Sequence, residues 1–218
     1  MPRLADPTMR TQLVEAAALR LAEHGRDGLS VRSLAGDVGA STQVVYTHFG
    51  GLDDLLAEVW REGFRRFAVA LDAPEITDDP VADWIEQGWR YRHFALTNQA
   101  LYQVMFGEGL RQVHDWSPED GAAAAATFVQ LLVRIERCRD AGRWVVDDVW
   151  TAGDVIWGMV HGLVLIELPG YYDFLSRSPL ATYEQSQRVL AVGMGDDPAR
   201  VEASIATGRE RAEAARLL

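Results

Sequence analysis

The chain has 218 residues, about half of them apolar, with a net charge of −11 and a single cysteine, Cys138. This is enough chain for one large or two small domains with a proper core; it excludes an intramolecular disulfide and any cysteine-rich metal cluster. All basic residues are Arg, eight against nine acids in residues 1–71 and thirteen against twenty-three in 72–218, so the acid load falls on the C-terminal two-thirds. In chain order, Leu13, Ala16, Ala17 and Leu21 form an i, i+3/i+4 stripe that stops at His24-Gly25. Ser30 is placed to cap a short helix ending near Gly39, and Ser41 to cap the next, through Phe49. A long helix over Leu52 to Leu71 is broken by Asp72-Ala73-Pro74. Asp79-Pro80 opens another toward Leu96, and Asn98 to Phe106 forms a short one. Ser117-Pro118-Glu119-Asp120 starts a helix that Gly142 ends. Asp147 or Asp148 opens the most apolar helix, stopped by Pro169-Gly170, and helices over Pro179 to Val192 and Pro198 to about Arg216 complete the chain. No segment demands a strand, so the expected class is all-α.

The N-terminus has no apolar run of the signal-peptide kind, and the uncharged stretches Gly121 to Val133 and Val155 to Ile166 fall short of the ~20 residues that span a bilayer. The expectation is a soluble, cytoplasmic protein with no membrane partner. No phosphate loop, H-E-x-x-H, Cys/His metal spacing or G-x-S-x-G occurs, and the five His are scattered. Accordingly no catalytic residue, metal or cofactor is assigned, although an all-helical enzyme stays open as an alternative class.

The informative window is Leu29 to Phe49, two short helices joined by a Gly-containing turn, the arrangement that lays a second helix in the major groove. Turned outward, Thr42, Gln43, Val44, Tyr46, Thr47 and His48 form an acid-free face. Gln pairs bidentately with adenine, and Val or Thr meets a thymine methyl. Tyr46 and His48 are placed for phosphate oxygens, as are Ser30, Ser41 and Arg32. A polar, solvated face on an ordinary helical hairpin would show the same periodicity.

Gly39-Ala40-Ser41, Tyr46 and His48-Phe49 resemble the TetR-family signature G-[VA]-S-x4-Y-x-[HY]-F. Leu29 to Ala35 is similar to its T-V-R-x-I-A segment, and Asp53-Asp54-Leu55-Leu56 to its E-E-L-L start of helix 4, so the resemblance covers roughly residues 10–65. Leu52 stands where family members often carry a phosphate-binding Lys; the anchor is then expected from the backbone at the start of helix 4, or from Arg3 and Arg10. A second, weaker resemblance, to the WHG-type C-terminal domain of some TetR regulators, rests on Tyr91 to Ala95, Leu101 to Phe106, Trp157 to Leu163 and Ile166 to Leu168.

These resemblances imply a three-helix DNA-binding domain with a helix-turn-helix, residues 1–51, followed by a larger helical ligand-binding and dimerisation domain, residues 52–218. The implied partners are double-stranded operator DNA, a second copy in a homodimer, and an unidentified small-molecule effector, for which the aromatic load of the C-terminal helices suggests a hydrophobic or aromatic character. Trp89, Tyr102, Met105, Phe106, Phe128, Trp157 and His161 are the candidate lining of its pocket, with ordinary core packing as the competing reading. The helix ending at Leu168 is apolar nearly all round, which calls for burial on every side, either by a twin with the helix over Pro179 to Val192 as partner or wholly within one protomer. The remaining alternative keeps the DNA module but replaces the small ligand with a protein partner or no effector.

Overall fold

A computed structural model describes residues 7–72, 76–107 and 117–218. Arg3 and the expected loop residues Ala73 and Pro74 lie outside them. The described residues form eleven α-helices and one short 3-10 turn, with no strand among them. We number them α1 (Pro7–His24), α2 (Val31–Asp37), α3 (Gln43–Phe49), α4 (Leu52–Leu71), α5 (Pro80–Thr97), α6 (Gln99–Phe106), α7 (Pro118–Asp140), α8 (Val149–Glu167), α9 (Tyr171–Phe174), α10 (Pro179–Gly193) and α11 (Pro198–Ala214). The all-α expectation holds.

The chain divides into two compact units, residues 1–66 with 98–124, and 67–97 with 125–218. In the first, α1 buries Leu13, Val14, Ala17, Ala18 and Leu21, and α2 adds Leu34 and Ala35. From α4 come Leu55, Leu56, Val59, Trp60 and Phe64, and from α6 Leu101, Tyr102 and Met105. A Cβ added at Gly63 would lie 2.7 Å from Met105 Cγ, so glycine is what lets α4 and α6 approach so closely.

The second unit is organised on α5, whose buried residues run from Pro80 to Ala95 and face α8, α10 and α11. A methyl added at Gly208 of α11 would lie 2.6 Å from Ile85 Cγ2, which places the last helix directly on α5. Polar bonds fasten the same contact. Asp83, fully buried, accepts from Thr77 N and Oγ1, from Arg137 Nη1 at 2.6 Å and from Arg211 Nη1 at 2.9 Å. These partners hold its carboxyl below the usual carboxylate range although burial pushes the other way. Close by, Arg143 is clamped by Asp196 and Asp79, with Ser204 of α11 donating to Asp79 at 2.8 Å. The sequence left the packing of α11 open; in the structure it closes on its own chain.

The caps follow the side-chain chemistry. Asp197 accepts from Ala199 N and Arg200 N, Asp148 from Trp150 N, and Asp79 from Val81 N and Ala82 N. Ser117 and Asp120 exchange bonds as a capping box. One helix needs a correction about membranes. With Asp154 and Glu167 admitted, α8 is long and apolar enough to cross a bilayer by length and composition. Its Val149, Ala152, Ile156, Val160 and Val164 are buried in the second unit, while Trp150, Val155, Leu165 and Ile166 are exposed.

Candidate nucleic-acid interface

Helix α2 begins at Ser30, whose Oγ accepts from Ser33 N while Ser33 Oγ accepts from Ser30 N, each at 3.0 Å. The Ser30 hydroxyl itself donates to Ser33 Oγ, so the group expected at a phosphate is engaged in this box. The expected cap at Ser41 is not formed. The N-cap of α3 is Thr42, already helical at φ −58°, and no side chain caps it. The reason is the tightness of the entry: Val44 N bonds Ser41 O and Val45 N bonds Thr42 O, an i→i+3 start that precedes the α-helical ladder. Gly39, at φ +66°, makes the turn between the helices, where an L side chain would be strained.

Val45 points inward and is fully buried, which fixes the rotation of α3. Thr42, Gln43, Tyr46 and Thr47 are exposed together with Ser30, Arg32 and Ser41, while Val44 and His48 are half-buried. Tyr46, 51% exposed, is the large aromatic of this face. Thr47 donates to Gln43 O at 2.9 Å, which leaves its methyl and lone pairs outward. Gln43 is exposed on the same face. The structure therefore gathers the nine DNA-facing candidates into one segment of the first unit, with Val44 and His48 at its margin.

The charges around this face are committed in a way the sequence does not announce. Arg20 is forked onto Asp37, Arg26 bonds Asp53 at 2.9 Å, and Arg10 bonds Glu58 at 2.8 Å while lying over the Phe49 ring. Arg61, Arg65 and Arg66 are held by Asp120, Glu62 and Glu15. Among the described residues of this unit, Arg32 is the arginine with no ion pair. Arg10 is thus anchored within the fold rather than free as an arm, and Leu52, half-buried at the start of α4, is followed by the exposed acids Asp53 and Asp54.

The seven pocket candidates fall in two places. Tyr102, Met105 and Phe106 belong to the first unit, where Phe106 packs edge-on against Phe64 at 5.7 Å and against Tyr102 at 4.9 Å. Trp89, Phe128, Trp157 and His161 belong to the second. There Phe128 meets Trp157 at 6.2 Å, and Trp157 meets His161 at 5.5 Å. His161 Nδ1 is 3.0 Å from Tyr91 Oη, and burial pushes the imidazole below its ordinary value. Beside this ladder Arg92 is forked onto Glu167, a buried ion pair that sequence inspection missed because its partners lie 75 residues apart. Trp89 stands apart from the ladder, tilted on Tyr183 at 4.8 Å. Its Nε1 and the Oε1 of Gln187 are buried without a hydrogen-bond partner.

Comparison with known proteins bears on the whole chain. The family described as "Tetracyclin repressor-like, C-terminal domain" matches residues 84–190, which include every residue of the second resemblance. An HTH-type transcriptional regulator of Mycobacterium bovis is 30% identical over 132 residues, 58% of this chain and 55% of its own length. The chain thus spans about half the length of that curated relative. An HTH-type transcriptional repressor of Streptomyces coelicolor is 26% identical, over 71% of this chain and 77% of its own. Two solved structures share the fold. A tetR-family regulatory protein from Rhodococcus RHA1 has TM-score 0.73 and 20% identity over 88% of this chain and 100% of its own. The regulator PfmR from Thermus thermophilus has TM-score 0.67 and 20% identity over 82% and 96%. Residues 84–190 thus match the TetR-like C-terminal domain family, and with its helix-turn-helix geometry the chain as a whole is similar to TetR-family transcriptional regulators.

Proposed function

We propose that this chain is a homodimeric repressor that reads a palindromic operator with α3 and is released by a small hydrophobic or aromatic effector. The observation that carries the DNA reading is the outward face of α3, with amide, hydroxyls and phenol exposed and no acid among them, set by the buried Val45. Residues 1–51 are then the DNA-reading module and 52–218 the regulatory part. In this role Gln43 reads a base edge, Val44 and Thr47 meet methyl groups, and Tyr46, His48 and Arg32 hold the backbone. Two such helices in a two-fold dimer would sit ~34–36 Å apart or slightly more, one turn of DNA.

Support for the twin comes from α8 and α10. Val155, Leu165 and Ile166 of α8 and Leu180, Val189 and Val192 of α10 are exposed apolar side chains. Gly158 and Gly162 share that face of α8, and a Cβ at either would meet nothing within 4 Å. Bare glycines flanked by exposed aliphatics suit close approach of another helix.

The effector reading is supported by the ladder of Phe128, Trp157 and His161 with Tyr91, and separately by Trp89 Nε1 and Gln187 Oε1, buried in the same unit without a partner among the described residues. A mostly apolar lining with few polar groups suits a planar, weakly polar molecule. Helix α4 belongs to the first unit up to Arg66 and to the second from Phe67, and α7 crosses likewise at Ala124 to Ala125, so both helices are covalent routes for coupling. The effector must prefer the DNA-incompetent state, since equal affinity for both shifts nothing.

The test is a titration. DNA from upstream of the protein's own gene is retarded specifically and in a salt-sensitive way, and a compound that raises the melting temperature lowers operator affinity. Retardation without sequence preference sinks the operator reading. DNA binding intact with no stabilising compound across a broad library favours regulation by a protein partner or none.

A further inference from the structure

The turn between α8 and α10 carries an apolar knob that the DNA and effector roles do not use. Helix α9 is a single turn, tied down by buried Tyr172, whose carbonyl accepts from Arg177 N at 2.9 Å. Tyr171, Phe174 and Leu175 point the other way, and Phe174 is 84% exposed. Three large apolar side chains on so short and well-anchored a turn form an exposed patch of the kind that marks an interaction surface. The same unit has a groove of about 460 Å³ lined by Met159, Leu163, Ala181 and Val189 together with Gln185 and Arg177.

We infer that in the dimer each knob seats in the groove of the other copy, Phe174 and Leu175 entering between α8 and α10 of the twin. Three observations select a second copy as the occupant. Knob and groove both adjoin the exposed apolar faces of α8 and α10, and so are continuous with the face assigned above to the two-fold. A two-fold interface requires a surface that complements itself, and a knob and a groove on one face satisfy this reciprocally. The charges also match: Asp173 is exposed on the knob and Arg177 at the groove, and neither has an ion-pair partner among the described residues. Seating the knob pairs Asp173 of each copy with Arg177 of the other.

The inference rests on the dimer reading, and the experiment separates the two. The full chain is run by sedimentation at graded concentrations beside F174S/L175S, whose exposed positions leave helix content unchanged by circular dichroism. Wild type is expected to be dimeric and the double variant to dimerise roughly tenfold more weakly or worse, as apolar burial of this size predicts. In parallel, separately tagged copies carrying F174C and V189C are mixed and mildly oxidised. A mixed disulfide is expected there and not with V145C, an exposed control. Cys138 stays silent, being fully buried with its thiol held protonated by that burial. A dimer that F174S/L175S leaves equally tight, with no mixed disulfide, overturns the knob while the α8–α10 dimer stands. A monomeric wild type overturns both.

Discussion

Tyr46 and Gln43 are exposed on α3 and make little of the fold, so their removal isolates function from stability. Tyr46→Ala and Gln43→Ala are each expected to weaken operator binding by ~1–3 kcal/mol with no change in melting temperature. Fluorescence anisotropy on labelled operator measures this, and unchanged binding in both removes the proposed reading face. Arg32 is expected to behave differently. As a cation on the outer side of α2 with no ion pair among the described residues, its replacement by Ala is expected to weaken all sequences alike and to reduce the salt slope by about one charge. His161 gives the pH signature. Burial lowers its folded value below the ordinary 6.5, so the unfolded chain binds more protons in the window below 6.5. Its contribution to stability is present above that value and is lost as pH falls through the window. The melting temperature is therefore expected to drop as pH falls below the ordinary 6.5, and to drop less in His161→Gln.

At the scale of helices, glycines with opposite surroundings give opposed expectations. Alanine gains about 1 kcal/mol of helix propensity over glycine in either position. At Gly208 the new methyl meets Ile85 and the carbonyl of Ala82, so Gly208→Ala is expected to destabilise the folded chain by ~1–3 kcal/mol on balance. At Gly158 it meets open space, so Gly158→Ala raises the stability of the isolated protomer while weakening the proposed dimer. Denaturation at low concentration and sedimentation separate the two effects. The helices themselves were legible where a side chain both stops and starts the ladder: Gly25, Asp79-Pro80, Asp148, Pro169-Gly170 and Asp197-Pro198 all mark boundaries that the structure keeps. Ser41 misled because a hydroxyl next to a helix start is a cap only if the backbone there is extended, and the tight turn after Gly39 makes it helical one residue later. Helix α9 was invisible, being one turn long with no periodicity to detect. In the site, the residues of α3 were readable from spacing because one buried valine sets the rotation of seven residues. The Asp83 cluster, the Arg92–Glu167 pair and the split of the aromatic candidates between two units depend on contacts tens of residues apart, for which a local pattern holds no record.

For the molecule as a whole, a net charge of −11 sets the terms on which it meets another polyanion. The excess of acid lies in residues 72–218, and the arginines of the first unit are mostly paired within the fold. In the proposed dimer two-fold symmetry would then matter for affinity as well as for spacing, since two modest contacts presented together add their free energies without a second loss of translational freedom.

The pairing of Arg20, Arg26 and Arg10 with Asp37, Asp53 and Glu58 has a consequence for how such a protein would look for its target. Arbitrary sequence attracts proteins through loose cations that displace counterions, and a genome offers millions of such resting places. A chain whose cations are already occupied lingers at few of them. It gives up the electrostatic pull that hastens encounter, and in exchange most copies would stay unbound and available to sample both the proposed operator and the proposed effector.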